Sequence, residues 1–286
     1  MILVTGATGQ LGAAVIEQLV KHTEGSNIVA FARSKEKAAD LIAKGVTVRI
    51  GSFDDTASLD AAMQGVSKVL LISGVDQHRL QQHKNVVDAA QKAGVQHIAY
   101  TGVSMVDEAN SALGEFMLDH FNTEAYIKES GIAYTLLRNT LYTDGIPLFT
   151  GEQVLENRIF LPAGDGKVPY ALRAEMGEAA ANVLLQEGHA NKTYEIASGT
   201  LASFADIAQV LTELSGKQVN YTDVPADAFA KQLEELQLPE FLIFLTTGFS
   251  KDIKDHRFEN TSSDLEQLLG RKPTDLKTGL KQIFNL

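Results

Sequence analysis

The sequence predicts an α/β protein: an open, doubly wound parallel sheet with a smaller, mostly helical C-terminal lobe. Three observations carry this. Six short β-rich runs recur at 2–6, 28–33, 47–51, 68–73, 97–102 and 133–139. Most are continuously apolar rather than alternating, as strands covered on both faces read. Helical spacing fills the gaps: Leu11, Val15, Ile16 and Leu19 make one apolar stripe, and Val86, Val87 and Ala90 another. Strand then helix, repeated, means parallel pairing with helices on both faces.

Gly45, Gly65, Gly94 and Gly131 fall where helices should stop and strands begin. After Asn139 the pattern changes. Residues 141–170 are irregular, with Pro147, Pro162 and Pro169 and a turn-prone Gly164-Asp165-Gly166. A helix is expected over 173–186 and a strand over 193–198. From Ser203 onward helices dominate, at 204–214, 227–236, 262–269 and 274–284. Residues 1–142 therefore read as the nucleotide-binding core, with 171–198 returning to it. Residues 143–170 and 199–286 read as a smaller substrate lobe.

The whole chain sets outer bounds. Its 286 residues, 44% hydrophobic, suit one large domain or a domain with a smaller lobe. Without cysteine there is no disulfide framework and no thiolate chemistry. No apolar run approaches the roughly 20 residues that span a bilayer. The first apolar stretch lacks a basic preface and runs into glycines, unlike a signal peptide. A soluble cytoplasmic protein with no membrane partner is expected. A net charge of −11 argues against nucleic acid as a partner.

The first strand runs into Thr5-Gly6-Ala7-Thr8-Gly9-Gln10-Leu11-Gly12. Three glycines directly after a first strand, opening an amphipathic helix, mark a phosphate-binding turn of Rossmann type. Gly6 permits the tight turn, Gly9 the approach of a pyrophosphate, and Gly12 close packing of the helix on the sheet. The helix N-terminus then offers free amides and a positive dipole end. Thr5 and Thr8 would add hydroxyl donors. The spacing is G-x-x-G-x-x-G rather than the commoner G-x-G-x-x-G. A plain strand-to-helix corner is the alternative.

The second strand ends in Arg33, not in the carboxylate that would bond a ribose 2′-hydroxyl. Lys35 and Lys37 follow. An arginine fork suits a 2′-phosphate, so NADPH is expected over NADH. A solvated basic turn is the competing reading. The third strand ends Gly51-Ser52-Phe53-Asp54, which places Phe53 and Asp54 beside an adenine; Asp54 or Asp55 would equally cap the next helix. Ser73, Gly74, Thr101 and the Arg138-Asn139 pair end later strands on the same rim.

These residues carry a resemblance. The glycine segment, Ala32-Arg33-Ser34, Gly51-Ser52-Phe53-Asp54-Asp55, Tyr134-Thr135-Leu136-Leu137-Arg138-Asn139 and Gly164-Asp165-Gly166-Lys167 stand in this order. Together they resemble the NmrA-like atypical short-chain dehydrogenases/reductases, the quinone-reducing members in particular, with triarylmethane reductases nearby. The resemblance spans essentially the whole chain. It implies NADPH as hydride donor and a small quinone or aromatic electrophile as acceptor. It implies a cofactor site of Gly6 to Leu11, Arg33, Ser73 to Val75, and Leu137, Arg138, Asn139, Thr140, Leu141 and Tyr142. The family also holds non-catalytic NADP-binding regulators, whose partner would be a protein.

Ordinary short-chain dehydrogenases carry Tyr-x-x-x-Lys on a helix, with the lysine lowering the tyrosine's pKa. No tyrosine here has lysine at the fourth position on. Where the motif belongs stands His120-Phe121-Asn122-Thr123-Glu124. His120 and Glu124 are spaced to meet on one helix face, where the carboxylate would raise the imidazole pKa. An exposed helical ion pair is the alternative. Alcohol oxidation needs a general base at the hydroxyl; quinone reduction needs much less, because the reduced ring is aromatic and its oxygen can take a proton from water. Placement above the nicotinamide would then supply most of the catalysis. Asn139, Tyr142 and His120 are the catalytic candidates; Phe116 and Phe149 are candidates to position the acceptor. The apolar 241–245 run would form a homodimer contact or close the acceptor pocket. No H-E-x-x-H, Walker or G-x-S-x-G pattern occurs, and no metal is expected.

Overall fold

The computed structural model describes residues 1–151, 153–156 and 158–286. Strand β1 (Ile2–Val4) enters helix α1 (Gln10–His22) through the glycine turn. There follow β2 (Ile28–Ala32), α2 (Ala39–Ala43), β3 (Thr47–Ile50), α3 (Thr56–Ala62), β4 (Lys68–Ile72) and α4 (Arg79–Lys92). Next come β5 (His97–Val103), α5 (Glu115–Glu129) and β6 (Ala133–Asn139). Beyond β6 lie α6 (Ile146–Thr150), β7 (Ile159–Phe160), β8 (Lys167–Val168), α7 (Arg173–Leu185) and β9 (Lys192–Ile196). The chain closes with β10 (Ala202–Ser203), α8 (Phe204–Ser215), β11 (Tyr221–Thr222), α9 (Ala226–Glu235), α10 (Glu240–Lys254), α11 (Asp264–Leu269) and α12 (Leu276–Phe284).

Seven strands pair in the order β3-β2-β1-β4-β5-β6-β9, all parallel. The expected doubly wound parallel sheet is thus the observed one. The order reverses between β1 and β4, which opens a crevice at their carboxyl ends. The strands read as unbroken apolar runs because both faces are covered. Val4, Ala30, Leu70 and Leu137 pack toward α1, α7 and α11. Their neighbours Leu3, Val29, Leu71 and Leu136 pack toward α3, α4 and α5. Successive side chains point to opposite faces of a strand, so each residue of a run fills a different layer. α1 and α7 approach closely because Gly177 faces Ala14: a Cβ on Gly177 would stand 2.7 Å from the Ala14 Cβ.

A third apolar cluster lies off the sheet and joins residues such as Ile159, Val168, Phe204, Leu211, Phe258 and Leu280. The stretch 141–170, which reads as irregular in sequence, holds α6 and two very short strands. β8 pairs antiparallel with β10, and β7 pairs parallel with β11. Two-residue strands have no period to detect, and their partners lie far along the chain. Gly94 and Gly131 end α4 and α5 with φ of 72° and 74°, as stop signals should.

Two histidines buried in the sheet layers each have a specific partner through one ring nitrogen. His97 Nε2 meets Thr135 Oγ1 at 2.8 Å, and His83 Nδ1 meets Thr123 Oγ1 at 2.9 Å. Burial lowers the His97 pKa from 6.5 to about 4, and that of His83 to about 3. Both are neutral in the fold and regain the ordinary value when the chain unfolds. Between 6.5 and the folded values the unfolded chain binds more protons, so stability is full above 6.5 and falls as pH drops. The expected loss approaches about 1.4 kcal/mol per pH unit for each histidine. Thermal unfolding followed from neutral to mildly acid pH checks this. His83→Asn should flatten the dependence; an unchanged slope in that variant would contradict the assignment.

Candidate functional site

A cavity of about 680 Å³ opens at the crevice between β1 and β4. Its floor is the glycine turn. Gly6 has φ of 58°, a conformation that favours glycine, and its carbonyl accepts from Gly9 N at 2.9 Å. A Cβ on Gly12 would lie 2.3 Å from that carbonyl oxygen and 2.8 Å from the Ala7 Cα. Gly12 therefore serves the folding of the turn back on itself, rather than contact with the sheet. Gly9 caps α1 with no side-chain bond, and the first turn holds no acidic residue. The positive helix end is left facing the cavity with its amides uncapped by any side chain.

Gly6, Thr8, Gly9, Gln10, Leu11 and Gly12 all line the cavity. Ala7 does not: it is fully buried in the core beneath the turn. Thr5 is also withdrawn. Its hydroxyl donates to Leu70 O and accepts from Ile72 N at 2.9 Å, stitching β1 to β4. It is no hydroxyl donor to a phosphate, which corrects the expectation; Thr8 is the one exposed there.

At the β2–β3 end the cavity is bounded by Arg33, Lys37, Phe53 and Asp54. Among the described residues neither Arg33 nor Lys37 forms an ion pair. Phe53 lies flat against Phe31, with ring centroids 6.1 Å apart and 6° between planes. The two readings of the acidic pair divide between neighbours. Asp55 caps α3, accepting from Ser58 N at 3.1 Å, while Asp54 lines the cavity and accepts from Gln82 Nε2.

At the other end stand Ser73, Gly74, Val75 and Tyr142. Thr101 is buried behind them and accepts from Ser73 N at 3.1 Å, so it supports the loop without reaching the cavity. Leu137, Asn139, Thr140 and Leu141 also stay off the cavity wall. Leu137 is core; Thr140 donates its amide to Ile196 O, and Leu141 packs into the off-sheet cluster. Asn139 is buried and bonds toward Tyr142, whose hydroxyl pKa is raised by burial against the pull of Asn139 and Arg173. Arg173 is a lining residue that sequence reasoning misses. Its guanidinium stacks 4.0 Å over the Tyr142 ring and pairs with Asp144. It opens α7, far along the chain, and no local pattern links it to the site.

Two expectations on α5 are corrected. Glu124 does not face His120. Arg138 takes it in a two-pronged pair, Nε to Oε1 at 2.8 Å and Nη2 to Oε2 at 2.7 Å, and also reaches Glu195. Arg138 points to the opposite face of β6 from Leu137, so its charge is spent away from the cavity. His120 lies against cationic Arg79 instead. Arg79 Nη1 is 3.1 Å from Nε2, and Tyr100 OH is 2.9 Å from Nδ1. Burial and then the Arg79 charge hold the His120 pKa well below 6.5, the reverse of the expected rise. It is neither an exposed ion pair nor part of the cavity wall.

Of the acceptor candidates, Phe149 packs against Phe204 and Phe249 inside the lobe. Phe116 lies edge-on to Phe241 and Phe244 of α10, so this face of the 241–245 run turns toward α5. Phe244 and Val75 remain partly exposed.

Gly12→Ala should cost about 1–3 kcal/mol, because backbone rather than a movable side chain blocks the new methyl. Gly9→Ala, whose methyl would sit 3.3 Å from the same carbonyl, should cost less than about 1 kcal/mol. Denaturant unfolding compares them; equal losses would contradict the turn geometry.

Comparison with known proteins reaches the whole chain. The model of the NmrA-like family matches residues 1–283. Quinone oxidoreductase 2 of Escherichia coli is 40% identical, over 100% of this chain and 99% of its own. The structure of an NADPH-dependent quinone oxidoreductase from Escherichia coli, complexed with NADPH, superposes with a TM-score of 0.93 at 40% identity, covering all of both chains. Citrobacter sp. triphenylmethane reductase complexed with NADP(H) gives the same score and identity over 99% of this chain and 100% of that one. With a doubly wound sheet, the glycine turn at its switch point and a match over nearly every residue, the chain belongs to the NmrA-like family.

Proposed function

We propose that this protein is an NADPH-dependent oxidoreductase that transfers hydride to a quinone or a similar electrophilic aromatic acceptor. One observation carries the reading. The switch-point cavity joins an uncapped helix N-terminus to two cations beyond the end of β2 that form no ion pair among the described residues, where a carboxylate would select NADH. Names given to full-length relatives, quinone oxidoreductase and triphenylmethane reductase, supply the acceptor class.

The residues divide the work by position. Amides of the Gly6–Leu11 turn and the α1 end are placed to receive a pyrophosphate. The Arg33 fork and Lys37 would hold a ribose 2′-phosphate. Phe53 offers a flat apolar face to an adenine, and Asp54 a carboxylate to its amino group. Ser73, Gly74, Val75 and Tyr142 would bound the nicotinamide half, with Arg173 and Asn139 fixing the Tyr142 ring. Bound NADPH supplies the hydride. Phe116, Phe241 and Phe244 form an aromatic wall suited to a flat acceptor; α10 is assigned to closing this side rather than to self-association. No side chain is needed as general base, which fits the missing Tyr-x-x-x-Lys pair.

The test follows absorbance of the reduced nicotinamide with and without small quinones. Quinone-dependent oxidation of NADPH is expected. Arg33→Ala should raise the NADPH KM about 10–100-fold, the loss of one charged phosphate contact, and leave NADH nearly unaffected. Tight NADPH binding with no turnover on any quinone would overturn the reductase reading in favour of a nucleotide-binding regulator.

A further inference from the structure

Arg79 is 1% exposed, yet among the described residues no carboxylate forms an ion pair with it. A buried cation usually has such a partner. Instead the fork is spent on neutral groups. Nη1 donates to Gly74 O at 3.4 Å and to His120 Nε2 at 3.1 Å, and Nη2 donates to Phe116 O. The guanidinium also lies 4.3 Å above the Phe116 ring. Arginine only donates, so His120 Nε2 must accept and its proton must sit on Nδ1, facing the Tyr100 oxygen 2.9 Å away. The Gly74 oxygen that takes the Arg79 fork also accepts from the Ser73 hydroxyl at 3.4 Å. The circuit from Tyr100 through His120 to Arg79 thus ends at Gly74 and Ser73, both on the cavity wall. The charged and titratable groups facing His120 are Arg79 and His83 from α4 and Tyr100 from β5, with Asp119 of α5 acting on Arg79.

We propose that Arg79 is a positioning residue for the nicotinamide half of the dinucleotide. Its fork fixes the Gly74 carbonyl and with it the Ser73 hydroxyl that donates to the same oxygen, while His120, backed by Tyr100, holds the fork in place. The loop after β4 then keeps one shape against the ligand. A dinucleotide lies across the carboxyl ends of the strands, with its halves on either side of the switch point. Arg33 and Phe53 stand on the adenosine side; the Arg79 circuit stands wholly on the other. This inference rests on the reading of the cavity as an NADPH site.

That geometry gives a selective test. Dissociation constants are measured for NADPH and for 2′,5′-ADP, which carries only the adenosine half. In Arg79→Met the affinity for NADPH should fall about tenfold, the loss of one hydrogen bond to a charged group, and that for 2′,5′-ADP should not change. Arg79→Lys keeps the charge and the stem but not the fork, and should not rescue. If Arg79→Met does not fold, Arg79→Lys and His120→Asn make the same comparison. Parallel losses for both ligands, no loss for either, or full rescue by lysine would each overturn the positioning role alone. Wild-type protein that binds neither ligand would overturn the cofactor reading, and this proposal with it.

Discussion

The site depends on one close backbone contact: the N-terminal turn of α1 resting on the carbonyl of Gly6. Residue 6 holds a left-handed φ, and the helix returns so near that residue 12 has no room for a Cβ. That contact aims the uncapped amides of α1 into the crevice between β1 and β4. The crevice exists because the strand order reverses there. Thr5 secures the same corner from below, since its buried hydroxyl bridges the backbones of β1 and β4.

Charge is handled in three distinct ways around this crevice. Arg33 and Lys37 stand at its mouth in solvent, without an ion-pair partner among the described residues, where holding a cation costs little. Arg138 is placed on the far face of β6 and neutralised by Glu124 and Glu195, which ties β6 to α5 and β9. Arg79 is the expensive case. Removing an ion from water costs several kcal/mol, and no carboxylate offsets it directly. Carbonyl oxygens, an imidazole and an aromatic face stabilise it instead. Burial, and after it the same cation, keeps His120 neutral. A protein that needed only to fold could fill this place with an apolar side chain.

The chemistry suits what the rim provides. A hydride acceptor that becomes aromatic on reduction needs orientation and exclusion of water more than proton transfer. At the rim the structure offers a stacked Tyr142–Arg173 pair, built from elements distant in sequence. Neutral His120 lies behind the wall and has no aspect of a general base toward the cavity.

The sequence by itself determined the sheet, its helices and the phosphate turn. Each of these is written in local periodicity: unbroken apolar runs for doubly covered strands, a 3.6-residue stripe for α1, and glycines where the backbone turns. It also marked Arg33, because the end of β2 is a fixed place in this topology. Tertiary structure alone decided how the side chains were paired. Spacing of four puts His120 and Glu124 on one helix face, but Arg138 reaches across from β6 and takes the carboxylate. Asp54 and Asp55 are equivalent as letters, and only the start of α3 tells which one caps. Arg173 and Arg79 acquire their roles through contacts with residues far along the chain: Tyr142 for Arg173, and Phe116 and His120 for Arg79. Local pattern encodes backbone geometry; partners across the fold are chosen by three-dimensional proximity and by the burial that makes each polar group seek one.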